Sequence, residues 1–208
     1  MLSDDDASLH GDALRVLRSW TGPTPEQEVL RARYVRHLER HAPTGVAGSV
    51  AGAGADTGTG QGVFRDCVPD HLTASTLVLS HDGANVLLTL HAKAKRWFQL
   101  GGHLEAGDAT LVGAAEREAR EESGLALSLD PVPVHLNEHV VPFCRPGTGD
   151  EARPVHHLDV RFVAVAAAGA EPVVSDESLD VRWWPLDALP NVELTEPVAL
   201  ARARSGAA

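Results

Sequence analysis

The sequence predicts an α+β fold in which helices enclose a mixed β-sheet as an α/β/α sandwich, preceded by an N-terminal helical pair. Three observations support this prediction. Two amphipathic segments lie before residue 43, short β-rich segments separated by turns follow from residue 63, and one strong helix interrupts those strands while another ends the chain. A chain of 208 residues can bury a sufficient core without disulfide bonds.

The first predicted helix covers DALRVLRSW, where Leu14 and Leu17 recur at helical spacing before GPTP ends it. The second begins after Thr24, a typical N-cap residue followed by Pro25, and Gln27 completes a capping-box pattern. Three apolar residues give it a buried stripe: Leu30, Tyr34 and Leu38. Four arginines are predicted to form its solvated face, the alternative being a phosphate-binding surface: Arg31, Arg33, Arg36 and Arg40.

Residues 44–62 read TGVAGSVAGAGADTGTGQG, a composition too rich in glycine and other small residues to be ordered by burial. The chain is therefore predicted to consist of an N-terminal helical extension (residues 1–43), a linker or long loop (44–62) and a main domain (63–208).

The main domain begins with the predicted strand HLTASTLVLS. The turn HDGAN at residues 81–85 and the segment VLLTLH after it predict a β-hairpin. Further strands are predicted at WFQL, PVHLNEHVVPF, VHHLDVRFVAVAAA and VRWWPL, with a polar turn, CRPGTGDEARP, between the second and third of these. The tail from Val192 to Ala203 is predicted to be helical.

Acidic residues crowd one predicted helix, which runs from about residue 111 to 123 and ends at Gly124. Glu118 has Glu121 and Glu122 as its i+3 and i+4 neighbours, so three carboxylates share one side. Because like charges so placed destabilise a helix, we expect a divalent cation such as Mg²⁺, which takes oxygen ligands, to compensate. The alternative is a solvated helix with alternating charges. Three residues form a smooth face toward the sheet: Ala114, Ala115 and Ala119.

A glycine-rich turn precedes this helix. Three glycines let the backbone turn sharply and bring main-chain groups close to a ligand or ion: Gly101, Gly102 and Gly107. Arg117 is expected to reach back to a loop carboxylate, that of Glu105 or Asp108, and so hold loop and helix together.

From Gly102 to Leu125 the sequence resembles the Nudix hydrolases. Their signature is a glycine, five residues, a glutamate, seven residues and then R-E-U-x-E-E-x-G-U, where U is bulky and aliphatic. Here Gly102 is followed after five residues by Asp108 and after eight more by REAREESGL. The sequence departs from this signature in three ways: Asp108 replaces the glutamate, the loop has one extra residue, and Ala119 replaces a larger aliphatic residue. Because the loop is longer, the shorter side chain of Asp108 can still reach Arg117. The resemblance covers about residues 70–190.

This resemblance implies a Nudix-like α/β/α sandwich and a hydrolase that cleaves a nucleoside diphosphate linked to another group, by attack of water on phosphorus. It implies Mg²⁺, for which Mn²⁺ can substitute, held by the carbonyl of Gly102 and the carboxylates of Glu118, Glu121 and Glu122. It also implies that Arg117 orients the acids and that Glu118 is the first candidate for the general base.

Residues outside the motif complete the predicted site. Glu177, in a loop before VRWW, is either an alternative base or a solvated acid. Four basic residues are candidates for attracting the substrate: Lys93, Lys95, Arg96 and Arg161. Trp97 either stacks on a base or belongs to the core. Five further polar residues either approach the ligand or are hydrogen-bonded elsewhere: His71, His103, His156, His157 and Asp159. Among these, His157 is the candidate for substrate binding.

Composition limits the partners and the location. The net charge of −11, from 29 acidic and 18 basic residues, argues against nucleic acids and anionic membranes as partners. No apolar run approaches the roughly 20 residues of a membrane span, and the acidic N-terminus is unlike a secretory signal. Two cysteines, Cys67 and Cys144, do not indicate a disulfide framework. We therefore expect a cytoplasmic protein that acts on a phosphorylated small molecule, and the helical pair allows a homodimer.

Two other functions stay open. A Nudix domain can sense a nucleotide without cleaving it, which loss of the metal-binding acids would favour, but they are present here. Isopentenyl-diphosphate isomerases share the fold, and HLTAS resembles their early strand with its metal-binding histidine. Those enzymes use a cysteine and a degenerate motif, whereas this chain keeps its double glutamate and Cys67 precedes the strand.

Overall fold

Within the residues that the structure describes, seven strands form one mixed sheet at the centre of the fold. The structure is a computed structural model and describes residues 8–42, 62–141, 155–176 and 178–206. The strands are β1 (Asp70–Leu79), β2 (Asn85–His91), β3 (Trp97–Phe98), β4 (Leu100–His103), β5 (His135–Val141), β6 (Val155–Val165) and β7 (Ser178–Pro185). The helices are α1 (Leu9–Ser19), α2 (Pro25–Arg40), α3 (Leu111–Ser123) and α4 (Thr195–Ser205), with a 3-10 turn at Val192–Leu194.

Strand β1 lies at the centre of the sheet. It pairs in parallel with β6 along its whole length, and its other edge pairs antiparallel with β4 and then with β2. Strand β5 extends the sheet beyond β6, whereas β3 and β7 both pair with β2. The register places Gly101 opposite Ser75 and Gly102 opposite Ala74. The sharp turn predicted at these two glycines is wrong, because both pair with β1 as part of β4 in the middle of the sheet.

Helices cover both faces of the sheet. The even-numbered side chains of β1 and β6, such as Leu72 and Leu158, are buried in one cluster with α1, α2 and α3. The odd-numbered Leu77 and Leu79 pack on the opposite face with Val198 of α4. This alternation follows from the two-residue period of a strand, and it confirms the predicted sandwich.

The N-terminal helical pair shares the core of the main domain. Leu17, Tyr34 and Leu38 are fully buried in the same cluster as α3. The carboxylate of Asp12 accepts a hydrogen bond of 2.8 Å from the backbone N–H of Leu111, at the start of α3. The predicted division of the chain at residues 44–62 stays a prediction, because residues 43–61 lie outside the described part.

Two side chains of α2 behave differently from expectation. Thr24 caps the helix as predicted, its hydroxyl accepting from the backbone N–H of Gln27 at 3.4 Å. The capping-box prediction is wrong, because the Gln27 amide donates to the carbonyl of Leu136 at 3.0 Å and accepts from its N–H at 2.7 Å. The solvated position predicted for Arg33 is also wrong, because it forms ion pairs with acids of β1 and β5: Asp70 and Glu138.

The strands and the tail agree with the sequence. The β1–β2 hairpin turns at Gly83, which has a φ of 65°, and the tail is helical from the 3-10 turn through α4. Cys67 is a buried thiol, whereas Cys144 and the predicted turn at residues 144–154 lie outside the described residues. Among the helices that the structure describes, none is long and apolar enough to span a bilayer.

Candidate active site

Helix α3 begins and ends at the predicted residues. The hydroxyl of Thr110 accepts from the backbone N–H of Gly113 at 3.1 Å, and Gly124 ends the helix in the left-handed conformation with a φ of 70°. The predicted alanine face is fully buried: Ala114, Ala115 and Ala119.

Two glycines of β4 let that strand approach the acids of α3. A Cβ on Gly102 would lie 2.7 to 2.8 Å from the carboxylate atoms of Glu118, so the carboxylate occupies the space that a side chain would fill. The backbone N–H of Gly101 donates to Glu122 at 2.7 Å. Gly101 has a φ of 152°, which favours glycine, and a Cβ there would lie 2.4 Å from that of Ser75.

Arg117 joins the loop to the helix. Its guanidinium donates to both carboxylate oxygens of Asp108, at 2.9 and 3.0 Å, and to the carbonyl of His103 at 3.0 Å. It also donates to Glu118 at 2.9 Å and to Glu121 at 3.1 Å. The expected reach of the shorter acid to Arg117 is confirmed, and one guanidinium holds the loop, the strand and two acids together.

Asp108 and Arg117 form a stable charged pair within this network. Burial raises the pKa of Asp108, but hydrogen bonds from Arg117 and from the backbone N–H of Glu105 outweigh it and leave the pKa below its ordinary value. Hydrogen bonding to Asp108 raises the pKa of Arg117 above its ordinary value. The pair therefore keeps its charges throughout the neutral range.

The acids form a set of oxygen donors of the kind that suits a hard divalent cation. Glu118 is the sheltered member, with 16% of its side chain exposed, whereas Glu121 is open to solvent at 54%. Glu122 is partly buried and contacts the strand. The donor chemistry fits Mg²⁺ or Mn²⁺, and the space beside Gly102 lets a carboxylate lie against the main chain.

Three histidines meet on the sheet face opposite α3. The ring centroids of His71, His103 and His157 lie 4.8 to 5.2 Å from one another. Burial lowers the pKa of all three rings. Burial and, to a smaller extent, the neighbouring histidines together bring the pKa to about 4 for His103 and about 2 for His157.

Asp159 is the centre of a buried polar network on the same face. Its carboxylate accepts hydrogen bonds from Thr73 at 3.1 Å, Ser75 at 2.8 Å, Gln99 at 3.1 Å and Arg161 at 3.0 Å. Sequence reasoning missed this network. Thr73 and Ser75 alternate with apolar residues in β1, but only the register with β6 sets them beside Asp159.

The chain matches the model of a known protein family. The NUDIX domain model matches residues 69–203, about two thirds of the chain, including all of α3 and β4. The chain belongs to the Nudix family. No curated protein sequence matches this Nudix chain significantly.

Several solved structures match this chain. A NUDIX-family hydrolase from Clostridium perfringens shares 27% identity, with 62% of this chain and 97% of that chain covered and a TM-score of 0.47. An Ap4A hydrolase from C. elegans shares 16% identity, with 65% and 97% covered and a TM-score of 0.49. A dihydroneopterin triphosphate pyrophosphohydrolase from E. coli shares 17% identity, with 61% and 91% covered and a TM-score of 0.48.

Two basic candidates of this Nudix domain, Arg96 and Arg161, have acidic partners within the chain. Arg96 forms an ion pair of 3.1 Å with the exposed Glu193, and Lys95 lies in the turn before β3 with a φ of 54°. Arg161 is buried against Asp159, so its charge is already offset. The structure thus brings neither Arg96 nor Arg161 into the network of α3 acids. Glu177 lies outside the described residues.

Trp97 has contacts of the core type. Its ring packs edge-on against Trp184, with centroids 5.2 Å apart, and the guanidinium of Arg182 lies 5.0 Å from its centroid. These contacts join Trp97 to the apolar cluster beneath α4.

Proposed function

We propose that this chain is a divalent-metal-dependent hydrolase that cleaves the diphosphate linkage of a nucleoside diphosphate joined to another moiety, of the nucleotide or nucleotide-sugar type. Water attacks phosphorus in this reaction. The observation that supports the proposal most strongly is the contact of Glu118 and Glu122 with the two glycines of β4.

The residues that would hold the metal are the carbonyl of Gly102 and the carboxylates of Glu118, Glu121 and Glu122. Mg²⁺ takes oxygen ligands of this kind, and Mn²⁺ substitutes for it. When bound, such an ion neutralises the diphosphate and lowers the pKa of the attacking water.

The side chains of the chain supply orientation and proton transfer. Arg117 fixes Glu118 and Glu121 relative to β4 through the hydrogen bonds that it also makes to Asp108 and His103. Glu118 is the proposed acceptor of the proton from water because it is the sheltered acid. Glu177 is the alternative acceptor.

Positive charge near the site would offset the net charge of the chain, which repels a diphosphate. Lys95, Arg96 and Arg161 are the proposed substrate-binding cations, and His157 is the fourth substrate-binding candidate. The proposed substrate is a small phosphorylated molecule met in the cytoplasm, and the helical pair allows the protein to act as a homodimer.

The test is a panel of nucleoside triphosphates, dinucleotides and nucleotide sugars, assayed with Mg²⁺ and with Mn²⁺. Glu121→Gln should lower the metal-dependent rate at least about 100-fold, since a metal ligand contributes several kcal/mol to the transition state. Glu116→Gln, a substitution on the same helix at a position that the signature does not specify, should leave the rate nearly unchanged. Equal activity of wild type and Glu121→Gln would refute the site, and tight binding without cleavage of any compound would favour a nucleotide sensor.

A further inference from the structure

The three histidines His71, His103 and His157 occupy none of the specified positions of the Nudix signature and carry the chemistry of a second site. We infer that they bind a divalent transition-metal ion, Zn²⁺ in the first place, with a fourth coordination position open to water or to a phosphate oxygen. This site is distinct from the oxygen donors of α3 and does not depend on the proposed hydrolysis.

The sheet itself brings the three rings together. His71 of β1 is directly opposite His157 of β6 in the parallel register, and His103 of β4 is opposite Thr73 on the other edge of β1. Paired residues of neighbouring strands point to the same face. The three ligands therefore come from three adjacent strands and need no loop to move.

The distances between ring nitrogens suit one shared ion. One nitrogen from each ring lies within 4.8 Å of the other two, and the Nε2 atoms of His103 and His157 are 3.1 Å apart. Two nitrogens bound tetrahedrally to zinc at about 2.0–2.1 Å are separated by about 3.3 Å. A small movement of the side chains of His103 and His157 would therefore bring this closest pair of nitrogens to the spacing of a zinc site.

His71 provides the observation that points to a ligand. Its Nδ1 lies 3.2 Å from the carbonyl of Cys67, which fixes that nitrogen as the donor. Its Nε2 is fully buried and has no hydrogen-bond partner among the described residues. A metal-ligating histidine typically donates its other ring N–H to a carbonyl in this way. Because Nδ1 carries the proton, Nε2 is the nitrogen of His71 that can bind an ion.

The ligand set favours a transition metal over Mg²⁺. Three imidazoles with no carboxylate among them suit Zn²⁺, Cu²⁺, Fe²⁺ or Ni²⁺, whereas Mg²⁺ prefers oxygen. The charges around the cluster are mixed: beyond the effect of burial, Arg65 lowers the pKa of all three rings, whereas Asp70 and Asp66 raise the pKa of His71. The preference for a transition metal therefore follows from the three nitrogen ligands themselves.

Zinc stoichiometry tests the inference. The full chain, purified without a histidine tag and stripped with a chelator, is dialysed against Zn²⁺ with excess Mg²⁺ to occupy the oxygen site, and bound zinc is measured by mass spectrometry. Wild type should retain close to one zinc ion per chain, and His103→Gln and His157→Gln should each retain almost none. Circular dichroism checks that these two variants are folded. Zinc should raise the melting temperature of wild type but not that of His103→Gln or His157→Gln.

A matched control addresses a second group of possible ligands in the described residues, His37, His41 and Cys67. His41→Ala, which removes one member of that group, should bind zinc as wild type does. The inference is overturned if wild type binds no zinc, if the folded His103→Gln and His157→Gln variants still bind it, or if only His41→Ala loses it.

Discussion

Gly102 and Glu118 depend on each other where β4 meets α3. In Gly102→Ala the new methyl group would lie 2.7 to 2.8 Å from the Glu118 carboxylate, and the flexible carboxylate would move aside while the fold persists. Since a displacement of about 1 Å at a reacting centre can cost about 100-fold in rate, kcat/KM should fall about 10- to 100-fold with little change in melting temperature. Gly107→Ala is the control, because a methyl group there meets nothing within 4 Å; equal activity of the two variants would contradict this role.

Arg117 acts through the planar fork of its guanidinium. Lysine carries one compact ammonium group and cannot donate in parallel to both oxygens of Asp108 while also reaching two glutamates. We expect Arg117→Lys to lower kcat/KM about 10-fold or more, measured on a substrate found in the panel. Arg120→Lys, at an exposed position of the same helix, should retain activity; full activity of Arg117→Lys would show that charge alone suffices.

Sequence reasoning reached the residues whose partners are near in the chain. Asp108 and Arg117 are nine positions apart, and the ends of α3 are marked by Thr110 and Gly124, so local rules predicted both. Gln27 and Arg33 have partners more than 100 residues away in β5. Their contacts depend on how α2 docks on the sheet, which no local pattern specifies.

At the level of elements, α1 supports α3 through one hydrogen bond. The buried carboxylate of Asp12 accepts from the backbone N–H of Leu111, in the first turn of α3, where a negative charge is also favoured by the helix dipole. Asp12→Ala removes the charged acceptor of the Leu111 N–H. The free energy of unfolding should therefore fall by about 2–3 kcal/mol.

Urea denaturation of Asp12→Ala and of Glu39→Ala measures this effect against a control. Glu39 forms an exposed ion pair with Arg18 on the same helical pair, and its loss should cost less than about 1 kcal/mol. Equal stability of Asp12→Ala and wild type would mean that the helical extension does not support α3.

At the level of the whole molecule, a buried neutral histidine makes stability depend on pH. Burial, with a smaller contribution from Arg161 and an opposing one from Asp159, lowers the pKa of His135 to about 4. The unfolded chain therefore binds a proton that the folded chain does not between about pH 6.5 and pH 4, and stability is lost as the pH falls through that window.

Unfolding free energies at several pH values check this dependence. Between pH 7 and pH 5, wild type should lose about 1–2 kcal/mol more than His135→Gln, whose side chain does not titrate. Measurements in the presence of a chelator exclude effects of bound metal. The same pH dependence in both proteins would show that His135 titrates alike in the folded and unfolded states.

The overall architecture could be predicted because each strand and helix carries its own periodicity and the Nudix signature fixes what lies around α3. The polar face of the sheet could not be predicted in this way. His71, His103 and His157 are spread over 86 residues of sequence, and each alone reads as an ordinary surface or hydrogen-bonded histidine. Pairing of β1 with both β4 and β6 brings them together, and this pairing is a property of the folded sheet.

Binding of Mn²⁺, followed by electron paramagnetic resonance, tests most directly whether the acids of α3 hold a divalent cation. Wild type and Glu116→Gln should bind Mn²⁺ with similar affinity and lose it to excess Mg²⁺, whereas Glu118→Gln and Glu122→Gln should bind it at least about 10-fold more weakly. Unchanged Mn²⁺ affinity in both of these variants, with each shown to be folded, would contradict the metal site on which the proposed hydrolysis depends.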